Sequence, residues 1–81
     1  MNKKDWMRHF ACRVMGRLGA LDWTQTELSR RTGIGESTLS LYLSCKRVPK
    51  AYIVNNIAKA LGVTTDWLIG IDEMVDVGGK K

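Results

Sequence analysis

Apolar side chains recur every three or four residues along most of this chain, and that spacing places them on one face of a helix. The first segment runs from about Lys3 to Leu21 and carries such a stripe at Met7, Phe10, Ala11, Val14, Leu18 and Leu21. No stretch ahead of the C-terminal tail alternates apolar and polar residues long enough for a strand. The pattern therefore predicts an all-α fold in which the first stripe faces the core.

The next predicted helix is short and has a start signal and a stop signal. Thr24 and Glu27 have the spacing of a capping box, in which the hydroxyl accepts from the backbone amide three residues on and the carboxylate reaches back to the amide of the cap. The helix is expected to run to about Thr32. Gly33 then ends it, because glycine readily adopts left-handed backbone angles.

A second short helix follows after three residues. Gly35 is its expected N-cap, and the helix is predicted from Glu36 to about Ser44. Two short helices that meet across a glycine-containing turn form the pattern of a helix-turn-helix.

Two further helices complete the predicted body. One is expected from about Pro49 to Leu61, with the proline in the first turn, where its missing N–H leaves no hydrogen bond unmade. Gly62 ends that helix. The last one is a turn or two long, from Thr65 to Ile69.

The expected domain organisation is a five-helix bundle that contains the helix-turn-helix over residues 1–70, followed by a tail over residues 71–81. Apolar residues persist from Trp67 to Val77, beyond what a five-helix core needs. This stretch is predicted to be either a dimer contact or a linker, and the two alternatives stay open.

Charge separates the helical body from the tail. The 81 residues include 13 Lys and Arg and 8 Asp and Glu, for a net charge of +5 and a pI of about 9.6. Residues 1–62 hold eleven basic and four acidic side chains, or +7, and residues 63–81 hold two and four, or −2. A basic helical body suits the phosphate backbone of a nucleic acid or another anionic surface.

Side chains suited to metal, thiol or hydrolytic chemistry are few. Cys12 and Cys45 form no CxxC pair, and His9 is the one histidine. Structural zinc needs four such ligands, and no set of nucleophile, base and oxyanion donors can be assembled. We therefore expect no metal, no cofactor and no enzymatic activity, and free thiols in a reducing cytoplasm. No apolar run approaches the roughly 18 residues of a membrane helix.

Four stretches match, in order, the pattern of one known family. They are WTQTELS (23–29), TGIGESTLS (32–40), KRVP (46–49) and IAKALGVTTDWL (57–68). From about Arg13 to Gly70 the chain resembles the Cro and phage-repressor type of helix-turn-helix domain, the XRE family. Leu43 and Cys45 depart from it, because they stand where the family often has a glutamate and a glycine.

The resemblance implies that the second short helix lies in the major groove of double-stranded DNA. It further implies a transcriptional repressor of the phage or prophage type that binds a symmetric operator as a homodimer. Such a protein acts in the cytoplasm of a bacterial host, associated with the nucleoid. An antitoxin of a toxin–antitoxin pair and a restriction-modification controller protein share the fold and stay open as alternatives.

Helical phase independently sorts the second short helix into two faces. At 100° per residue, one side carries Ser37, Ser40, Leu41 and Ser44, and the opposite side carries Leu39, Tyr42 and Leu43. The second face is expected in the core. The first face is small, polar and tipped by one leucine, which suits a DNA groove.

Each group on the DNA-facing side has an expected role. Serine hydroxyls contact phosphates or base edges, and Leu41 meets a thymine methyl group. Glu36 either complements the helix dipole or accepts from a cytosine amino group. Gln25 and the loop cations Lys46 and Arg47 are expected on phosphates. The full set of expected DNA-contacting residues is Gln25, Gly35, Glu36, Ser37, Thr38, Ser40, Leu41, Ser44, Lys46 and Arg47.

Overall fold

A computed structural model describes residues 3–70 of the chain and the side chains of residues 5–70. Over that range it contains five α-helices and no strand, as the sequence predicts. The helices are α1 (Lys3–Leu21), α2 (Gln25–Thr32), α3 (Glu36–Leu43), α4 (Ala51–Leu61) and α5 (Thr65–Ile69). The predicted tail, residues 71–81, lies outside the described residues, and so does the part of the predicted dimer contact (residues 67–77) that follows Gly70. Within the described part of that stretch, Leu68 is 0% exposed and belongs to the core.

The long helix α1 organises the bundle. It packs against α3, α4 and α5, while α2 packs against α3 and α4. The predicted stripe of α1 is buried except for Leu21, which packs against the core at its edge. Every helix contributes to one continuous core, whose largest fully buried side chains are Phe10, Val14, Leu28, Leu39, Ile57, Leu61 and Leu68.

Left-handed residues end the helices, and two of them are not glycine. Asp22 and Cys45 have φ values of 60° and 63°. After α3, the amide of Cys45 donates to the carbonyl of Tyr42 at 3.1 Å, and the amide of Lys46 donates to that of Leu41 at 2.9 Å. These bonds satisfy the last carbonyls of the helix in the pattern that a glycine usually permits. Cys45 therefore adopts the left-handed conformation for which a glycine was expected from the resemblance, and its Cβ makes that conformation strained.

The predicted start of α4 is wrong by two residues. Lys50, in an extended conformation, is its N-cap, and the Lys50 carbonyl accepts from the amides of Ile53 and Val54 at 2.9 and 3.0 Å. Pro49 precedes the helix and is buried. The fixed φ of proline suits a loop as well as a first helical turn, so the residue type alone does not separate the two positions.

Arginine side chains of α1 close the ends of other helices. Arg17 donates from Nε and Nη2 to the carbonyl of Leu61, at 3.2 and 2.9 Å, where α4 ends. Arg13 donates to the carbonyl of Trp67 in α5, and its guanidinium stacks 4.7 Å from the centre of the Trp67 ring. Two cations of the basic body thus have structural partners, and they hold α1 against the C-terminal helices.

The described helices include no segment that is both long enough and apolar enough to span a membrane.

Candidate nucleic-acid interface

The turn between α2 and α3 is fixed by a left-handed glycine and by two side-chain hydrogen bonds. Gly33 has a φ of 77°, which is left-handed and favours glycine. The hydroxyl of Ser29 donates to the carbonyl of Ile34 at 2.5 Å, and Ile34 itself is buried. The side-chain amide of Asn56 in α4 donates to the carbonyl of Thr32 at 2.9 Å. The angle between the two short helices is therefore held by the core and by α4.

The two faces of α3 are those that helical phase predicts. Leu39 is 0% exposed and Tyr42 is buried, while Leu43 packs at the edge of the core. On the other side, Ser37, Ser40 and Ser44 are exposed, and Leu41 and Thr38 are partly buried. The hydroxyls of Ser37 and Ser40 make no hydrogen bond to any residue that the structure describes. This side of α3 therefore presents polar groups that are free to bind.

A contact between the first turns of α2 and α3 joins the N-terminal end of this face. The hydroxyl of Thr26 donates to Oε1 of Glu36 at 3.0 Å. Gln25, the first residue of α2, is adjacent in the chain to Thr26 and is partly buried. Gly35 is the N-cap of α3 and, having no side chain, leaves the first turn of that helix uncovered. The structure therefore brings Gln25, Gly35 and Glu36 to one end of the predicted site.

The loop after α3 folds back onto the helix that it leaves. The carbonyl of Leu41 accepts from the amides of Lys46 and Arg47, at 2.9 and 3.3 Å, and from the hydroxyl of Ser44 at 3.3 Å. The side chains of Lys46 and Arg47 are exposed and form no ion pair within residues 5–70. Two cations that form no ion pair within residues 5–70 therefore lie directly beyond the polar face of α3.

The two arginines of α2 form ion pairs within their own helix, unlike the loop cations. The carboxylate of Glu27 accepts from Arg30 and, at 2.6 Å, from Nε of Arg31. Arg31 also stacks 4.1 Å from the centre of the Trp23 ring. Hydrogen bonds from Arg30 and then Arg31 lower the pKa of Glu27, and the same carboxylate raises the pKa of Arg30.

The capping box predicted at the start of α2 is only half formed. Thr24 accepts from the amide of Glu27 at 3.2 Å, as expected. The carboxylate of Glu27 turns to the two arginines instead of to the amide of Thr24, because two charged donors outcompete one neutral amide.

Three residues have features that none of the sequence patterns above predicts. Thr26 contacts Glu36, Asn56 holds the turn, and Tyr52 in the first turn of α4 is 67% exposed. For Thr26 and Asn56, no local signal exists, because each contact joins two helices. The exposed position of Tyr52 follows from the phase of α4, in which Val54, Ile57 and Leu61 face the core.

The comparison with protein families agrees with this geometry. The model of a family described as Helix-turn-helix matches residues 16–68, a span that includes α2, the turn, α3, the loop and α4. Neither a curated protein nor a solved structure matches the chain.

Proposed function

Because this chain belongs to the helix-turn-helix family and is a DNA-binding transcription regulator of the XRE type, we propose that it represses transcription by binding a symmetric operator as a homodimer, in the manner of a phage or prophage repressor. The observation that carries the proposal is the exposed polar face of α3, which is followed by two cations, Lys46 and Arg47, that form no ion pair with any described residue.

The dimensions of α3 support base reading. With its side chains an α-helix is about 10–12 Å in diameter, and the major groove is about 12 Å wide, so α3 fits into the groove. Leu39 and Tyr42 hold one side in the core, so Ser37 and Ser40 are directed away from it. Hydroxyls there contact base edges or phosphates, and Leu41 offers an apolar surface for a thymine methyl group.

The distribution of partners among the cations supports phosphate binding by the loop. Arg13 and Arg17 bind backbone carbonyls of the bundle, and Arg31 is held by Glu27 and Trp23. The side chains of Lys46 and Arg47 have no such contacts among the described residues, and they follow α3 directly. We infer that these two side chains neutralise phosphates beside the groove that α3 enters.

A homodimer is proposed because one helix of eight residues reads only a few base pairs. Two copies related by a twofold axis read two half-sites, about 34 Å apart, on a palindromic operator. Residues 67–77 are the proposed contact between the copies. We further propose that the regulator acts in the bacterial cytoplasm.

The loop cations are tested by the salt dependence of DNA binding. Lys46→Ala and Arg47→Ala should each weaken specific and non-specific binding and flatten the slope of log K against log salt by about 0.9. Lys59→Ala is the matched control, because Lys59 is an exposed lysine in the last turn of α4. An unchanged slope in both loop variants would show that the loop does not contact the phosphate backbone.

Base reading is tested with the uncharged residues of α3. Ser40→Ala and Leu41→Ala should each relax preference at one position per half-site, by about 1–3 kcal/mol for a good contact, with no change in the salt slope. The measurement is competition between an operator selected from random DNA and its single-base variants. A variant that keeps the wild-type ranking of all competitors does not read sequence at that residue.

The regulatory sign and the dimer are tested together. A reporter promoter that carries the selected operator should be silenced when the protein is expressed, whereas a controller protein would activate it.

A chain that ends at Gly70 should stay folded by circular dichroism but lose cooperative binding to two half-sites. Copurification of a small toxic protein would favour the antitoxin alternative.

A further inference from the structure

The bond between Thr26 and Glu36 is unusual in its placement. Glu36 is the first residue of α3, where a carboxylate ordinarily complements the uncapped amides of its own helix. Its Oε1 instead accepts from the hydroxyl of Thr26, ten residues earlier and in the first turn of α2, at 3.0 Å. The hydrogen bond therefore fixes a charged side chain at the edge of the face that α3 presents.

Burial argues against a mainly structural role for this bond. Both Thr26 and Glu36 are exposed, so water can replace the hydrogen bond when it is lost. The bond between Asn56 and Thr32 and the burial of Ile34 already hold the turn that joins the two helices. What Thr26 adds is orientation, because one fixed oxygen limits where the other oxygen of Glu36 points.

The charge of Glu36 has a cost for DNA binding. A carboxylate beside the groove repels phosphate and lowers affinity for every sequence. It also offers only acceptors, so it binds a base edge that presents an amino group, such as N4 of cytosine, and is repelled by the O6 and N7 acceptors of guanine. A group that weakens general binding and favours one base edge contributes selectivity.

We propose that Thr26 is a positioning residue for sequence recognition: it holds Oε1 of Glu36 so that Oε2 accepts from a base amino group, cytosine N4 being the best match. This assignment rests on the proposed function, since it requires that α3 enters the major groove. Among the described residues Oε2 has no hydrogen-bond partner, so it is available for that contact. Thr26 itself acts through Glu36 and need not touch DNA.

Thr26→Val tests the proposal, because valine keeps the branched shape and removes only the hydroxyl. The ratio of affinities for the preferred base and for the other bases at one operator position should fall by roughly 5- to 150-fold, the range of one good base contact. The salt slope, the affinity for random DNA and the melting temperature should stay close to wild type. Thr26→Ser restores the donor and should restore the preference.

Glu36→Ala provides the second arm. It should abolish the same preference and raise affinity for random DNA, since it removes a negative charge beside phosphate. In that background Thr26→Val should have no further effect, because a residue that acts only through Glu36 has nothing left to position.

The outcomes separate the alternatives. If Thr26→Val keeps the wild-type base profile while Glu36→Ala changes it, Thr26 does not position the carboxylate. If Thr26→Val lowers the melting temperature and weakens all sequences equally, the bond is structural and the proposal is wrong. If the wild-type protein itself prefers no sequence, the proposed function fails, and that result is distinct from a failure of this pair alone.

Discussion

The two helices of the helix-turn-helix have the same length, eight residues, but they are stabilised differently. The start of α2 is capped by the Thr24 hydroxyl, and its surface carries the Glu27 carboxylate between two arginines. By contrast, the N-cap of α3, Gly35, offers no side-chain cap, and the chain leaves the helix through Cys45 in a left-handed conformation.

The difference is that polar side chains stabilise α2, whereas polar side chains of α3 stay free to bind another molecule. The charged side chains of α2 bind one another and the Thr24 hydroxyl caps its first turn, so the helix is stabilised before anything else binds. Ser37 and Ser40 of α3 are not used within the described residues, and the helix is held mainly by Leu39 and Tyr42 in the core. A DNA-binding helix whose polar side chains bind its own ends has fewer polar side chains free to contact DNA.

The largest expected effect comes from removing the core anchor of α3. Leu39→Ala should lower the free energy of unfolding by about 2–5 kcal/mol, because it leaves a cavity at a side chain that is 0% exposed. Ser40→Ala, one residue on, should change stability little. Urea denaturation measures both. If Leu39→Ala costs as little stability as Ser40→Ala, Leu39 does not anchor α3 in the core.

The helix C-termini offer the next comparison. Gly33→Ala should cost roughly 1–2 kcal/mol, the penalty of a left-handed backbone for a residue with Cβ, since a methyl group there meets no neighbour. Cys45→Gly should relieve the same penalty at a φ of 63°. Its net gain should be smaller, about 0.5 kcal/mol, because glycine also gives the unfolded chain more freedom.

Gly16→Ala is the control for these two changes. Gly16 lies inside α1 in open space, so alanine should stabilise that helix by about 0.5–1 kcal/mol. Thermal melting compares the three variants. Destabilisation by Cys45→Gly would show that its side-chain contacts outweigh backbone strain at the end of α3.

These positions also show what a sequence can and cannot predict. The five helices and the buried stripe follow from periodicity, and Gly33 follows from its backbone freedom, because all of these are local properties. Arg17 on the α4 carbonyl and Thr26 on Glu36 depend on which helix ends meet after packing. Pro49 shows the limit of residue type, since its fixed φ suits both a loop and a helix start.

The predicted DNA contacts depend on more than local sequence. The phase of α3 predicts which residues leave the core, and the structure places Ser37, Ser40 and Ser44 on that exposed side. Which atoms meet bases depends on the groove and on a second copy of the chain, so those assignments stay predictions.

The N-caps sharpen the comparison at a smaller scale. Thr24→Ala should cost about 1 kcal/mol by removing the acceptor for the Glu27 amide. Gly35→Ser should add a few tenths of a kcal/mol by supplying the missing cap of α3. Melting temperatures give both values. A large gain in stability from Gly35→Ser would mean that the missing N-cap limits the stability of α3 more than its core contacts do.

The smallest effect is expected from the surface charges of α2, and its sign with pH is defined. Arg30 and Arg31 lower the pKa of Glu27 below its ordinary value of 4.5 in the folded protein. The unfolded chain therefore binds the proton first, and the stabilisation is present above pH 4.5 and lost as the pH falls through the lowered pKa. The difference in melting temperature between wild type and Glu27→Gln should accordingly shrink from pH 7 towards pH 3. It should also shrink at about 1 M salt, where exposed charges are screened within roughly 3 Å. A difference that grows on acidification would mean that Glu27 stabilises α2 through its protonated form and not through its arginine neighbours.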